Sequence, residues 1–322
     1  MKKYLLLLIV AGIIILPNAG SIFITSEPTP PDQPTSGPGG SDYSHAGVQK
    51  SSYKSGAEQF WIFEPISPKP ESAPFIVFNH GYSAIFPFIY QAWINHIVKK
   101  GNIVVYPRYQ GRFFGGFKNF YKNANNAVKD AILILNNGDH VRPLLDKFAV
   151  VGHSFGGGIT ANMAAVAGEE GLPIPKAIMS VEPYLSLYLP IDFNKISAET
   201  LMLVIVGEDD TVVGNISGKT IFDSTPQIPL SQKDFVIQVT DRYGSPDLVA
   251  DHVSPVSMHG FFSHTVNAMD YYSTWKLFDA LINYAFYGIN GEYCLGNTPE
   301  QRFMGLWSDG TPVKEMIVTD TP

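Results

Sequence analysis

The sequence predicts an α/β fold, with a mostly parallel central sheet flanked by helices and no large lid domain. Short unbroken apolar runs suit strands buried on both faces, helical stretches separate them, and a small-residue helix follows one run directly. The chain has 322 residues with 45% hydrophobic and 16% charged, enough to bury a large core and far from a disordered or coiled-coil composition. A net charge of -7, from 22 Lys+Arg and 29 Asp+Glu, leaves no global basic field, so no nucleic-acid partner is expected. The lone Cys294 excludes an internal disulfide and a multi-thiolate metal site.

The chain divides into three parts. Residues 1–24 begin Met1-Lys2-Lys3 and continue through an apolar run to Ile24, which reads as a signal peptide or an N-terminal membrane anchor. With positive charge only at its start, either version puts the body outside the cytoplasm, secreted or membrane-anchored at the extracellular side. Residues 25–50 are rich in Pro, Gly and Ser and are expected to form an extended, solvated linker. Residues 51–322 form the main domain. Asn215-Ile216-Ser217 matches the glycosylation acceptor pattern, a signal too short to carry weight alone.

Within that domain, Gln59–Pro65 is expected as an edge strand, and Phe75–Phe78 as a buried strand that ends where Gly81 lets the backbone turn sharply. A helix spans about Tyr90–Lys100 and stops at Gly101, after which Asn102–Pro107 resumes as strand. Lys122–Asn137 has apolar residues at helical spacing and leads to a strand at Lys147–Val151. After the small-residue helix come β-type runs at Lys176–Val181, Leu201–Val206 and Asp234–Val239. Asp270–Tyr287 reads as a long amphipathic helix, and the segment from Arg302 as a C-terminal hairpin turning at Asp309-Gly310.

The chemistry concentrates at Gly152-His153-Ser154-Phe155-Gly156, a G-x-S-x-G motif. A strand feeds directly into it and a helix leaves it, the context that forces a serine hydroxyl out at the carboxyl edge of a sheet. A hydroxyl nucleophile needs a base, and the base needs a carboxylate to fix its tautomer. The turn after Leu201–Val206 offers Glu208, Asp209 and Asp210; Asp210 is the expected acid and Asp209 the reserve. Of the histidines beyond the last strand, His252 sits on a loop ahead of Pro255 and is the expected base, with His259 and then His264 as alternatives. His153 reads as structural support. An oxyanion hole is expected from the backbone N–H groups of Phe155 and Tyr82, the latter in the loop after Phe75–Phe78.

Together, His80-Gly81-Tyr82, Gly152-HSFGGG, Gly207-EDD-Thr211 and Asp251-HVSP resemble the α/β-hydrolase superfamily over residues 57 to 287. The loop Gly81–Ala84, the elbow and His252-VSP are similar to chlorophyllase-like and cutinase-like polyester hydrolases and lipases that lack a large lid. Two positions depart from that branch: Phe155 stands where methionine is usual, and Pro183-Tyr184 where Pro-Trp is usual. The resemblance implies an α/β-hydrolase fold and an exported serine ester hydrolase of the carboxylesterase, lipase or cutinase-like kind, acting through Ser154, His252 and Asp210 without a cofactor or metal. Its substrate would be a small or polymeric ester in a shallow cleft lined by Tyr82, Phe155 and Tyr184. The same constellation can cleave amides, so a peptidase or amidase is the alternative, and a non-catalytic surface binding protein is the other. The spans from Ser154 to Asp210 and from Asp210 to His252 are too short for a separate cap domain.

Overall fold

A computed structural model of the chain describes residues 27–188, 192–257 and 265–322. The expected signal or anchor at 1–24 and the alternative bases His259 and His264 lie outside the described residues.

Among the described residues, nine strands make one sheet: β1 (Gly47–Tyr53), β2 (Phe60–Ile66), β3 (Ser72–Asn79), β4 (Ile103–Pro107), β5 (Arg142–His153), β6 (Ala177–Val181), β7 (Leu201–Gly207), β8 (Lys233–Gln238) and β9 (Ile317–Thr319). Their order is β1-β2-β4-β3-β5-β6-β7-β8-β9. The six inner strands from β4 to β8 run parallel, while β1, β2 and β9 are antiparallel additions at the margins. This is the α/β-hydrolase fold.

The two-residue period of each strand sorts side chains between two cores. Along β3, Ile76 and Phe78 face the layer made by α1 (Gln91–Lys99) and α5 (Lys276–Tyr287). Phe75 and Val77 face the opposite layer, made by α2 (Phe120–Leu135) and α3 (Phe155–Glu170). A sheet buried on both faces explains why its strands read as continuous apolar runs.

Several elements differ from the sequence expectation. Residues 27–46 pack onto the body and do not form a solvated linker. Gly39 N–H donates to Asp279 Oδ2 at 2.9 Å, Ser245 N–H to the Pro28 carbonyl at 2.8 Å and Ser308 N–H to the Thr29 carbonyl at 3.0 Å. Gly39 sits at φ +78°, and a Cβ there would come within 2.0 Å of the Tyr271 carbonyl oxygen, so the glycine is what allows the close approach. Backbone hydrogen bonds leave no apolar pattern in the sequence, which is why this docking was not legible. Gln59–Pro65 is likewise not an edge, because β1 covers β2 along its whole length. The polar β1 sequence GVQKSSY carries no strand-like apolar alternation.

The short helix α4 (Ile216–Asp223) was not expected, and the long C-terminal helix opens with a π-helical stretch at Asp270–Trp275 before α5. The hairpin is reduced to one antiparallel bridge, Leu306 with Pro312, around the Asp309-Gly310 turn. The last strand β9 then pairs with β8, closing that margin of the sheet.

Candidate active site

β5 ends at His153 and α3 starts at Phe155, so Ser154 alone makes the turn, with φ 57° and ψ −124°. A non-glycine residue held there stores roughly 1–3 kcal/mol and persists only where its surroundings fix it. They do: Ser154 N–H donates to the Val181 carbonyl at 2.9 Å, and the Ser154 carbonyl accepts from Gly157 and Tyr184, each at 2.9 Å. The flanking glycines make the turn sterically feasible. A Cβ on Gly152 would lie 2.3 Å from the Gly156 carbonyl oxygen, and one on Gly156 would lie 2.2 Å from that of Asn79.

The three acidic residues after β7 diverge. Glu208 accepts from Thr240 N–H at 3.0 Å; Asp209 takes the Thr240 hydroxyl and the Arg242 guanidinium, each at 2.8 Å. Asp210 turns inward, its Oδ1 accepting from the N–H groups of Val212 and Val213 and its Oδ2 lying 2.9 Å from His252 Nδ1. Burial by itself would raise the Asp210 pKa, but the His252 hydrogen bond and the two backbone donors outweigh it and hold the carboxyl below its ordinary value. His252 Nε2 lies 2.9 Å from Ser154 Oγ. The three side chains therefore form one continuous hydrogen-bonded row, with Ser154 and Asp210 both buried.

Of the two expected oxyanion donors, Phe155 N–H opens α3, where the first N–H groups have no partner within the helix. Tyr82 lies on the turn closed by Ala84 N–H to the Gly81 carbonyl, at 3.0 Å. This turn lies hard against the serine, since a Cβ on Gly81 would be 3.3 Å from Ser154 Cβ. The space beside Ser154 is a cavity of about 210 Å³ whose walls include Tyr82, Ala84, Ile89, Tyr90, Val253 and Val256. Tyr82 thus lines it as expected, whereas Phe155 and Tyr184 do not. The Phe155 ring is buried beneath Tyr82, Phe117 and Tyr184, and Tyr184 projects at 45% exposure outside the cavity. The helix that starts at Phe155 carries its side chain down into the core while leaving its N–H at the serine, so one residue could not serve both purposes.

A second polar chain runs beneath this row. Gly81 N–H donates to Tyr90 Oη at 3.0 Å, and the Tyr90 hydroxyl donates to His153 Nδ1 at 2.7 Å. His153 Nε2–H is then shared between the His252 carbonyl at 2.9 Å and Glu182 Oε2 at 3.1 Å. Burial, and then the neighbouring His252, push the His153 pKa down to about 3, so the ring is neutral. Glu182 is fully buried, and burial, then Asp210 and Asp251, raise its carboxyl well above the usual range. Because the His153 ring is neutral, its contact with Glu182 is a hydrogen bond, although the spacing would suit an ion pair. Sequence inspection missed Glu182 because its only signal is an acidic residue directly after the apolar strand β6.

His153, Glu182 and His252 offer three metal-ligating atoms within 4.8 Å of one another, but these atoms are already engaged by the partners just described and by Asp210.

Residues 38–186 match the family model described as Chlorophyllase. The match spans less than half of the chain and agrees with the α/β-hydrolase fold described above. No curated protein matches the chain. The matched region holds the second half of the packed N-terminal segment, the Gly81–Ala84 turn, Ser154 and Glu182, and it stops before Asp210 and His252. The connections from β6 to β7 and from β7 to β8 contain, among the described residues, only short helical turns and α4, with no inserted cap domain.

The raised pKa of Glu182 has a measurable consequence. An unfolded glutamate loses its proton above about pH 4.3, while folded Glu182 holds its proton to higher pH, so over that window the unfolded state binds fewer protons and stability falls as pH rises. The isosteric, uncharged Glu182→Gln is expected to raise the melting temperature at pH 8 more than at pH 5. It should also hold kcat/KM within about threefold, the range of a near-neutral substitution. A loss of activity approaching that of Asp210→Asn would show instead that Glu182 works as a charged partner of His252, whose Nδ1 is 3.6 Å away.

Proposed function

We propose that the protein is an exported serine hydrolase that cleaves carboxylic esters through an acyl-enzyme. The observation that carries this is the row Ser154 Oγ, His252 Nε2, His252 Nδ1, Asp210 Oδ2, linked by two 2.9 Å contacts beside an apolar cavity. In this reading the Ser154 hydroxyl attacks the ester carbonyl as its proton passes to His252 Nε2. The resulting imidazolium is stabilised by the ionised Asp210. Negative charge on the carbonyl oxygen is met by the N–H groups of Tyr82 and Phe155, each such donor commonly worth about 2.7–4 kcal/mol of transition-state stabilisation. His252 returns the proton to the departing alcohol, and a water molecule then repeats the sequence in reverse to free the acid and Ser154. Export rests on Lys2, Lys3 and the apolar run that follows them.

The walls formed by Ala84, Ile89, Val253 and Val256 suit the first carbons of an acyl chain. At about 0.8 kcal/mol per methylene removed from water, four added methylenes correspond to a gain of up to about 200-fold. On a nitrophenyl ester series, kcat/KM is thus expected to rise steeply from acetyl to hexanoyl, with no turnover of a peptide anilide. Preference for acetyl would exclude this cavity as the acyl site, and turnover of the anilide alone would favour a peptidase.

A further inference from the structure

The loop between β4 and α2 is fastened to Tyr82 and Ser83, two residues of the cavity wall. Gly115 N–H donates to Tyr82 Oη at 2.5 Å, Ser83 N–H to Gln110 Oε1 at 2.9 Å, and Gln110 Nε2 to the Phe113 carbonyl at 2.7 Å. Yet its tip turns large apolar side chains outward. Phe113 is 52% exposed and Phe114 79%, and beside them stand Phe88 at 52% and Tyr188 at 58%. Ring contacts group most of these into two clusters, Phe88 with Phe86 and Phe113, and Tyr82 with Phe117 and Tyr188, and the loop carrying Phe114 bridges them through the Gly115–Tyr82 hydrogen bond. Contiguous apolar exposure of this kind on a soluble protein marks a contact surface.

The charge around it selects the partner. From Arg108 to Lys129 the chain carries five cations and no Asp or Glu, in a protein whose net charge is -7. Arg112 and Lys118, which bracket the exposed phenylalanines, form no ion pair among the described residues. Aromatic side chains flanked by free cations suit an interface of acyl chains beneath anionic phosphates. A second copy of the same face would be repelled by these cations, and an uncharged polymer surface would make no use of them.

We propose that the 111–118 loop, with its neighbouring aromatics, seats the cavity mouth on an anionic phospholipid bilayer, so that ester substrates pass from the lipid phase to Ser154. The proposal rests on the esterase reading only for its last step, and the docking is testable separately.

The test is a bimane fluorophore attached through Phe114→Cys in the full chain, reconstituted in vesicles of phosphatidylcholine alone or with one third phosphatidylglycerol. Cys294 is buried and does not compete for the label. Quenching by a shallow nitroxide lipid is expected in the phosphatidylglycerol vesicles and at least threefold less in phosphatidylcholine. A label at Ile174→Cys, just ahead of the amino end of β6, should stay unquenched in both. Adding Arg112→Gln and Lys118→Gln should abolish the difference while leaving hydrolysis of a water-soluble nitrophenyl ester unchanged. No quenching at position 114, equal quenching in both vesicles, or equal quenching at position 174 would each overturn the proposal. Loss of soluble-ester turnover in the unsubstituted protein would instead overturn the esterase reading and leave the docking result standing.

Discussion

Ser154→Ala is expected to lower kcat on a nitrophenyl ester by about 10⁶, the scale seen when the nucleophile of such a triad is removed. Without the hydroxyl no acyl-enzyme forms, and what remains is water attack assisted by the oxyanion donors. His252→Ala should cost nearly as much, and the double variant no more than either alone, because nucleophile and base act as one unit. Stability should change little in Ser154→Ala. The strained backbone at φ 57° is held by main-chain contacts with Val181, Gly157 and Tyr184, none of which the substitution removes. Single-turnover kinetics with a melting curve for each variant check this; additive losses in the double variant would mean that Ser154 and His252 serve separate steps.

Asp210→Asn is expected to cost about 10⁴ in kcat, with a much smaller effect on KM. The amide preserves the shape and can still accept from Val212 and Val213, but it cannot balance an imidazolium and it favours the wrong His252 tautomer. Glu182 lies 3.6 Å from His252 Nδ1, but its burial disfavours the charged form, so it is not expected to replace the missing charge. The sign with pH follows from the depressed Asp210 pKa: its ionised form contributes stability above the unfolded carboxyl range, and that contribution is lost as pH falls through the lower folded value. Asp210→Asn should therefore reduce stability at pH 7 and narrow the gap to wild type under acid conditions. Asp209→Asn, whose carboxylate faces Thr240 and Arg242 at the surface, should stay within about threefold of wild-type activity.

The parts of this molecule that were legible in the sequence are those where one local rule dominates. The inner strands announce themselves as apolar runs because both faces are covered, and the elbow because only glycine tolerates the approaches at Gly152 and Gly156. Ser154, Asp210 and His252 were singled out by motif and chain order, and their side chains meet. What escaped depends on contacts between distant segments. The packing of residues 27–46 is made by backbone groups, β1 is polar because one of its faces meets solvent, and Glu182 acquires its character from burial under His153 and Ser254. The expected cleft wall failed for a geometric reason: the turn that offers Phe155 N–H to the serine sends its ring into the core. The cavity opens instead toward Ile89, Val253 and Val256.

The central claim is that His252 activates Ser154 for attack on an acyl carbon. A fluorophosphonate probe, followed by peptide mass mapping, tests it most directly, because the phosphonyl group stays on the atom that attacks. A single adduct on Ser154 is expected in the wild-type protein, greatly slowed in His252→Ala and absent in Ser154→Ala. An adduct on another residue, or labelling of Ser154 at an undiminished rate without His252, would contradict it.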